Sequence, residues 1–222
     1  MPRPAAPRVD GEKKSLIATE RDAAARAAWR AMSVLWDATR LVFVDESGTQ
    51  TNMTPRTSRA PRGQRAYGTA PRNHGKNTTL IAALSAEGIG AAMTLEGAAD
   101  ADAFVAGRPL GSMTHFLVPT LTPGQIVVMD NLSVHKDERV ASLIAGAKCR
   151  LVGRPLGSMP AYSPDFTPIE QAFSKLKSFL RRTEARTRER LEEATTAALA
   201  TITATDAAGW FTACGYPLKT DQ

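Results

Sequence analysis

At 222 residues, 43% of them hydrophobic and 23% charged, the chain is long enough for one sizeable domain, or one domain plus an arm. A formal net charge of +6 and a pI near 9.6 suit a polyanionic partner. Two cysteines, Cys149 and Cys214, make neither a disulfide scaffold nor a zinc set. There is no apolar signal core and no stretch of membrane-spanning length, so the expectation is a cytoplasmic protein, nucleoid-associated in a bacterium, with no membrane partner.

Residues 1–16 read as an arm carrying Pro-Arg turns and a charged run. An Ala-rich helix is predicted from Thr19 to Trp36, Ala24, Ala28, Met32 and Leu35 giving a modest apolar face beside Trp29 and Trp36. A strand follows over Arg40–Asp45. Residues 48–76 lack periodicity and read as a long functional loop with room for one short strand near Ala66. Thr78–Ser85 and Gly90–Leu95 alternate as paired strands about a Glu87-Gly88 turn. A helix is expected from Asp100 through Val105 and a second helical piece at 116–118, before Pro119. Gln125–Asp130 is the next strand, Asp137–Ala147 a helix and Lys148–Val152 the last core strand. Helices over Pro168–Arg182 and Thr187–Thr203 and a Trp210-Phe211 patch complete the chain. Three strands with hairpin-length connections followed by alternating helix and strand define an α/β sheet of about five strands.

Two apolar runs end on a carboxylate: Leu41–Val44 on Asp45 and Ile126–Met129 on Asp130. A third carboxylate, Glu170, lies in the first turn of the helix opened by Pro168. Carboxylates at the tips of interior strands are hard to explain as packing, and three that converge make a magnesium site. Basic residues flank them. Between Glu46 and Glu87 there is no acidic residue, yet Arg56, Arg59, Arg62, Arg65, Arg72 and Lys76 fall there. A second cluster comprises Lys175, Lys177, Arg181, Arg182, Arg186, Arg188 and Arg190. Together the clusters read as a phosphate-backbone track. Ser174, Lys177 and Arg181 follow Glu170 by four, seven and eleven positions, close to its face of the helix, while Ile169, Phe173, Leu176 and Leu180 face the core.

Phe43-Val44-Asp45-Glu46-Ser47, then Met129-Asp130-Asn131 with His135-Lys136, then Tyr162-Ser163-Pro164-Asp165-x-x-Pro168-Ile169-Glu170 resemble the three signature blocks of the DDE transposases of the IS630/Tc1/mariner superfamily. The resemblance spans about Asp37 to Tyr216. It implies an RNase H-like fold with a mixed five-stranded sheet flanked by helices, divided as an arm and helix (1–36), a catalytic domain (37–216) and a tail (217–222). It also implies Mg²⁺-dependent cleavage and strand transfer on double-stranded DNA at element ends, with Mn²⁺ as an alternative ion and a homodimer on the DNA. Two ions about 3.5–4 Å apart activate the attacking oxygen and steady the leaving one. By this reading Asp45 bridges them, Asp130 holds one and Glu170 the other. The DNA-binding candidates are Arg56, Arg59, Arg62, Arg65, Lys76, Asn131, His135, Lys177 and Arg181. Asn131 is a candidate for orienting a phosphate or water, and His135 for a surface or phosphate contact. Glu46 points to the face opposite Asp45, and Asp165 suits capping or turn formation rather than metal binding.

The family places helix-turn-helix modules ahead of the catalytic domain. With residues 1–36 before the first strand, the expectation is that end recognition lies in a separate or frameshift-joined polypeptide, or in a lost segment. Two other readings compete: a catalytically inactive DNA-binding remnant, and a general RNase H-like nuclease, the latter disfavoured by the third block. One oddity bears on both. Gly-Arg-Pro-Leu-Gly-Ser-Met occurs at 107–113 and again at 153–159, where it lengthens the connection between Asp130 and Glu170. It reads as an inserted segment. As a bulged-out loop it leaves the site intact; if it displaces Glu170, the enzyme is crippled.

Overall fold

The computed structural model describes residues 18–97, 116–129, 138–152 and 159–218. Five strands form one sheet: β1 (Leu41–Thr49), β2 (Thr78–Ser85), β3 (Gly88–Glu96), β4 (Ile126–Met129) and β5 (Arg150–Val152). Their order is β3-β2-β1-β4-β5. β1 is antiparallel to β2 and parallel to β4, β2 is antiparallel to β3, and β4 is parallel to β5. The sheet is therefore mixed, as expected. The helices are α1 (Ala23–Ser33), α2 (Glu138–Gly146), α3 (Pro168–Thr183), α4 (Arg188–Ala200) and α5 (Ala204–Ala213).

Side chains alternate along each strand and build two cores. Leu41, Phe43, Leu80, Leu84 and Val128 face one side, where they pack with Trp29 of α1, Phe173 and Leu176 of α3, Ala198 of α4 and Phe211 of α5. Val42, Val44, Ile81 and Val127 face the other side, with Val140 and Ile144 of α2. Ile169, Phe173, Leu176 and Leu180 are all buried, as their helical spacing predicts, and each stabilises the α3 packing by roughly 1.5–3 kcal/mol. The helix ends at Glu184, whose left-handed backbone (φ 50°) turns its N–H onto the Leu180 carbonyl.

Several expectations are corrected. β1 does not stop at Asp45. Its pairing with β2 continues to Thr49↔Thr78, so the polar stretch after Asp45 is strand as well, while the described pairing with β4 runs to Val44↔Met129. The connection from β1 to β2 spans residues 50–77 and is no hairpin; only β2–β3 is one. No strand forms near Ala66. Phe116 is helical, as expected of the piece before Pro119, but the chain then turns into a 3₁₀ segment, Val118–Thr120, that includes the proline. The predicted 187–203 helix ends at Ala200, and Trp210 and Phe211 belong to the separate helix α5. The break is chemical: Thr203 and Asp206 form a reciprocal capping box that starts α5.

The buried face of α1 also differs from expectation. Ala24, Ala28 and Leu35 are exposed; Trp29 is buried and Met32 partly buried as expected, but Arg26 and Ser33 are buried with them. A paired arginine and a tryptophan outweigh alanines whose burial brings little. The helix predicted from Asp100, and both repeats except Met159, lie outside the described residues. Met159 itself is buried in the α3-side core, and Thr167 Oγ1 approaches its sulfur at 3.4 Å.

Candidate functional site

Asp45 directly follows Val44, the partner of Met129 on β4, and is half-buried on the same strand face as Leu41 and Phe43. That is the face on which α3 packs. The Glu46 backbone N–H donates to Asp45 Oδ1 at 2.8 Å, which holds the carboxylate close to its own strand. Glu46, one residue on, points to the other face. Glu170 is the third residue of α3 and is exposed, and its N–H donates to the Thr167 carbonyl at 3.1 Å. Asp130, Asn131 and His135 lie outside the described residues; Met129, directly before Asp130, pairs with Val44.

The stripe of α3 that carries Glu170 continues through Ser174 to Lys177 and Arg181. Lys177 and Arg181 line a groove of about 410 Å³ with Arg56 and with the end of β1 and the chain after it: Gly48, Thr49, Gln50, Asn52, Met53 and Thr54. The Glu170 face of α3 therefore looks toward the continuation of the strand that carries Asp45. Burial first, and the nearby Arg56 guanidinium second, push Arg181 below the ordinary arginine range. Arg56, Lys177 and Arg181 form no ion pair with any described carboxylate. The groove is thus, among the described residues, a concentration of positive charge with no paired carboxylate and a polar wall.

The remaining basic residues divide. Arg59, Arg62 and Arg65 are exposed along the loop after β1. Lys76 pairs with Glu96 at 2.7 Å. Much of the second cluster is occupied within the fold. Lys175 pairs with Asp206 at 2.6 Å, and that hydrogen bond, with those from the Thr203 backbone and hydroxyl, lowers Asp206 to about 2. Arg186 donates to the carbonyls of Thr51 (3.1 Å) and Met53 (2.9 Å), which anchors the root of the long loop against the α3–α4 junction. Arg188 pairs with Glu96 and with Glu192. Lys175 lies roughly 140° around the helix from Glu170, off the groove-facing stripe.

One constellation has no counterpart among the sequence expectations. Asp165, expected to cap a turn, sits in a 3₁₀ turn (Pro164–Phe166) and accepts a bidentate pair from Arg26 (3.1 and 2.5 Å) and a bond from Arg21 (2.8 Å). Burial raises its pKa, but the Arg26 hydrogen bond and charge, helped by Arg21, more than offset this and leave it lowered. The sequence carries little signal of it: Asp22 lies four residues before Arg26 at a helical spacing, whereas the partner Arg26 takes is Asp165, 139 positions away.

Among the described residues, no three His, Cys, Asp or Glu side chains are grouped to hold a metal, and Asp130 is not among them. Asp45 and Glu170 supply hard oxygen donors on two packed elements, the chemistry magnesium prefers; because that ion retains several waters, few protein ligands suffice. The donor set fits such an ion.

A mixed sheet with helices on both faces, and acidic residues on β1 and at the start of α3, defines a domain of the RNase H-like class. The chain belongs to the DDE superfamily endonuclease family, whose model matches residues 40–192. No curated protein matches it significantly. Among solved structures, it is similar to Mos1 transposase in a paired-end complex with the left transposon end (TM-score 0.70, 17% identity, covering 93% of this chain and 64% of that one). It is also similar to the mariner Mos1 paired-end complex with Mg (TM-score 0.62, 17% identity, 95% and 64%) and to the catalytic domain of Mos1 mariner transposase (0.58, 13%, 93% and 93%). The chain thus spans just under two thirds of the length of the Mos1 chains in the paired-end complexes. No described helix is long and apolar enough to cross a membrane.

Proposed function

We propose that this chain is the catalytic domain of a mariner/Tc1-type DDE transposase, of the IS630 branch, which cleaves double-stranded DNA at the ends of a transposable element and transfers the cut strand. The observation that carries the reading is the orientation of α3: its Glu170–Lys177–Arg181 stripe faces the groove built from the continuation of the Asp45 strand. Acidic and basic chemistry are thereby arranged in sequence along one surface, as a phosphodiester substrate requires.

In this reading Asp45, Asp130 and Glu170 hold Mg²⁺, with Mn²⁺ able to replace it. The bound ions polarise the scissile phosphate and lower the pKa of the attacking water or hydroxyl. The side chains have separate tasks. Asp45, restrained by the Glu46 N–H, offers a fixed carboxylate at the sheet edge of the site. Glu170 offers a second from a helix held down by Ile169 and Phe173. Arg56, Lys177 and Arg181 bind backbone phosphates next to the reacting one and set the register of the duplex, while Arg59, Arg62, Arg65 and Lys76 extend the contact and Asn131 and His135 serve the substrate near Asp130. Likeness to Mos1 paired-end complexes with transposon DNA, and to those with Mg or Mn, supports DNA as the substrate and a divalent ion as cofactor. A homodimer on DNA and a helix-turn-helix recognition module belong to the same proposal.

The test is cleavage of a duplex carrying the element's own ends, with Mg²⁺ or Mn²⁺, by the wild-type chain and by Asp45→Asn and Glu170→Gln, with duplex binding measured in parallel. Metal-dependent nicking by wild type alone, with binding shared by all three, is the expected result. Cleavage by the variants at the wild-type rate overturns it.

A further inference from the structure

The turn that leads into the Glu170 helix is held from outside. α3 has no side-chain cap: Thr167 occupies the N-cap position without accepting a bond from the first-turn N–H groups. The four residues ahead of it are instead gripped by α1 and by the C-terminal segment. Arg26, only 9% exposed, forks onto both oxygens of Asp165, donates to Ser163 Oγ at 2.6 Å, and lies 4.1 Å above the centre of the Phe166 ring. Arg21 and Arg30 approach the same carboxylate at 2.8 and 4.0 Å. Trp29 Nε1 donates to the Tyr216 hydroxyl, which in turn donates to the Phe166 carbonyl, each at 2.9 Å. Ser163, Asp165 and Phe166 are thus all fixed, and only Thr167 separates them from Pro168, the first residue of α3.

A planar guanidinium forked onto a carboxylate fixes orientation as well as distance, unlike a single charge contact. The contact joins residues far apart in sequence, so it transmits the position of α1 to the start of α3 rather than reinforcing either element alone. From these contacts we infer that Asp165 is a positioning residue for the metal site. With Arg26 it sets the placement of the first turn of α3, and therefore of the Glu170 carboxylate, and it makes that placement depend on the docking of α1. The inference rests on the reading of Glu170 as a metal ligand. Asp165 itself, occupied by arginines, does not bind the ion.

The full chain, without DNA, would be titrated with Mn²⁺ and the affinity followed by the loss of the free-ion electron paramagnetic resonance signal, with thermal melting recorded for every variant. Removing a group that orients a metal ligand typically weakens binding by about 10–100-fold. Asp165→Asn is expected to weaken Mn²⁺ binding by about tenfold, and Arg26→Lys, which keeps the charge but loses the fork, by a smaller factor in the same direction. Asp206→Asn serves as the comparison for stability alone: it breaks the Lys175 pair, away from α1, and is expected to lower the melting temperature with Mn²⁺ affinity unchanged. If Asp165→Asn does not fold, Arg26→Lys decides. Mn²⁺ affinity within twofold of wild type in the folded Asp165→Asn and Arg26→Lys variants, while Glu170→Gln weakens it, overturns the inference and leaves Asp165 as a fastening for α1. Unchanged affinity in Glu170→Gln locates the failure in the metal reading of Glu170, and the inference falls with it.

Discussion

Arg56 and Arg181 line the same groove, close enough that the charge of one lowers the pKa of the other, although 125 positions separate them in the chain. Like charges held together without a carboxylate between them are destabilising until an anion arrives. Removing one phosphate-binding cation from a DNA-binding surface lowers the slope of log K against log salt by about 0.9. Arg56→Gln, Lys177→Gln and Arg181→Gln are each expected to weaken non-specific duplex binding and to lower that slope by about one. Lys175→Gln is expected to leave both unchanged, because Lys175 is occupied by Asp206. Filter binding across a salt series measures the slope, and equal effects of Lys175→Gln and Lys177→Gln would dissolve the distinction between groove and fold.

Asp206 makes an acid-stability prediction with a defined sign. Its folded pKa is lowered to about 2, chiefly by the Lys175 hydrogen bond and then by Thr203. A depressed carboxylate stabilises the fold above its unfolded pKa, near 3.8, and that contribution disappears as pH falls through the folded value. The melting temperature of Asp206→Asn is therefore expected to lie below that of wild type at pH 5–7. The two are expected to converge between about pH 4 and pH 2. Parallel acid limbs over that window would show that the ion pair contributes nothing to the pH dependence.

The distribution of what was legible follows from locality. β2 is read correctly because Thr78–Ser85 is a run of β-favouring and apolar residues bounded by turn signals. The stripe from Glu170 to Arg181 is read from helical periodicity, and Lys177 and Arg181 do share a groove. The far half of β1 is not legible, since Glu46-Ser47-Gly48-Thr49 carries no strand pattern and is held extended by β2 from across a long loop. Local spacing shows the Arg188–Glu192 and Arg186–Glu184 pairs, but not that Lys175 is held by Asp206, or that Arg186 and Arg188 reach the Thr51 and Met53 carbonyls and Glu96, all distant in sequence, while Lys177 and Arg181 pair with no described carboxylate. The face of α1 is misread for the same reason: the residue that buries Arg26 is Asp165.

Tyr216 joins three elements through one hydroxyl, which accepts from Trp29 and donates to the Phe166 carbonyl. Burial pushes its pKa well above the ordinary tyrosine range, so the phenol stays neutral throughout the working pH range. Tyr216→Phe keeps the ring packed against Phe43 and Phe211 but strands a buried donor and a buried acceptor. The expected cost is about 1–3 kcal/mol in urea unfolding, with no change in duplex affinity. A cost near zero would mean that water replaces the hydroxyl in both bonds.

Asp130→Asn is expected to abolish metal-dependent cleavage while leaving DNA binding largely intact. The amide keeps the shape of the carboxylate and removes the charge that attracts a hard cation, and a magnesium site built from few protein carboxylates tolerates that loss poorly. The cations proposed to hold DNA are elsewhere in the sequence, on α3 and on the loop after β1, so the groove of Arg56, Lys177 and Arg181 retains its charge. Asp130 directly follows Met129, whose pairing with Val44 brings β4 alongside β1 immediately before Asp45. The measurement compares wild type and variant on a duplex carrying the element ends, with Mg²⁺ or Mn²⁺ and a recognition module supplied in trans, beside a filter-binding control. Equal cleavage by both proteins removes Asp130 from the metal site. Binding without cleavage by either protein favours a DNA-binding remnant over an active transposase.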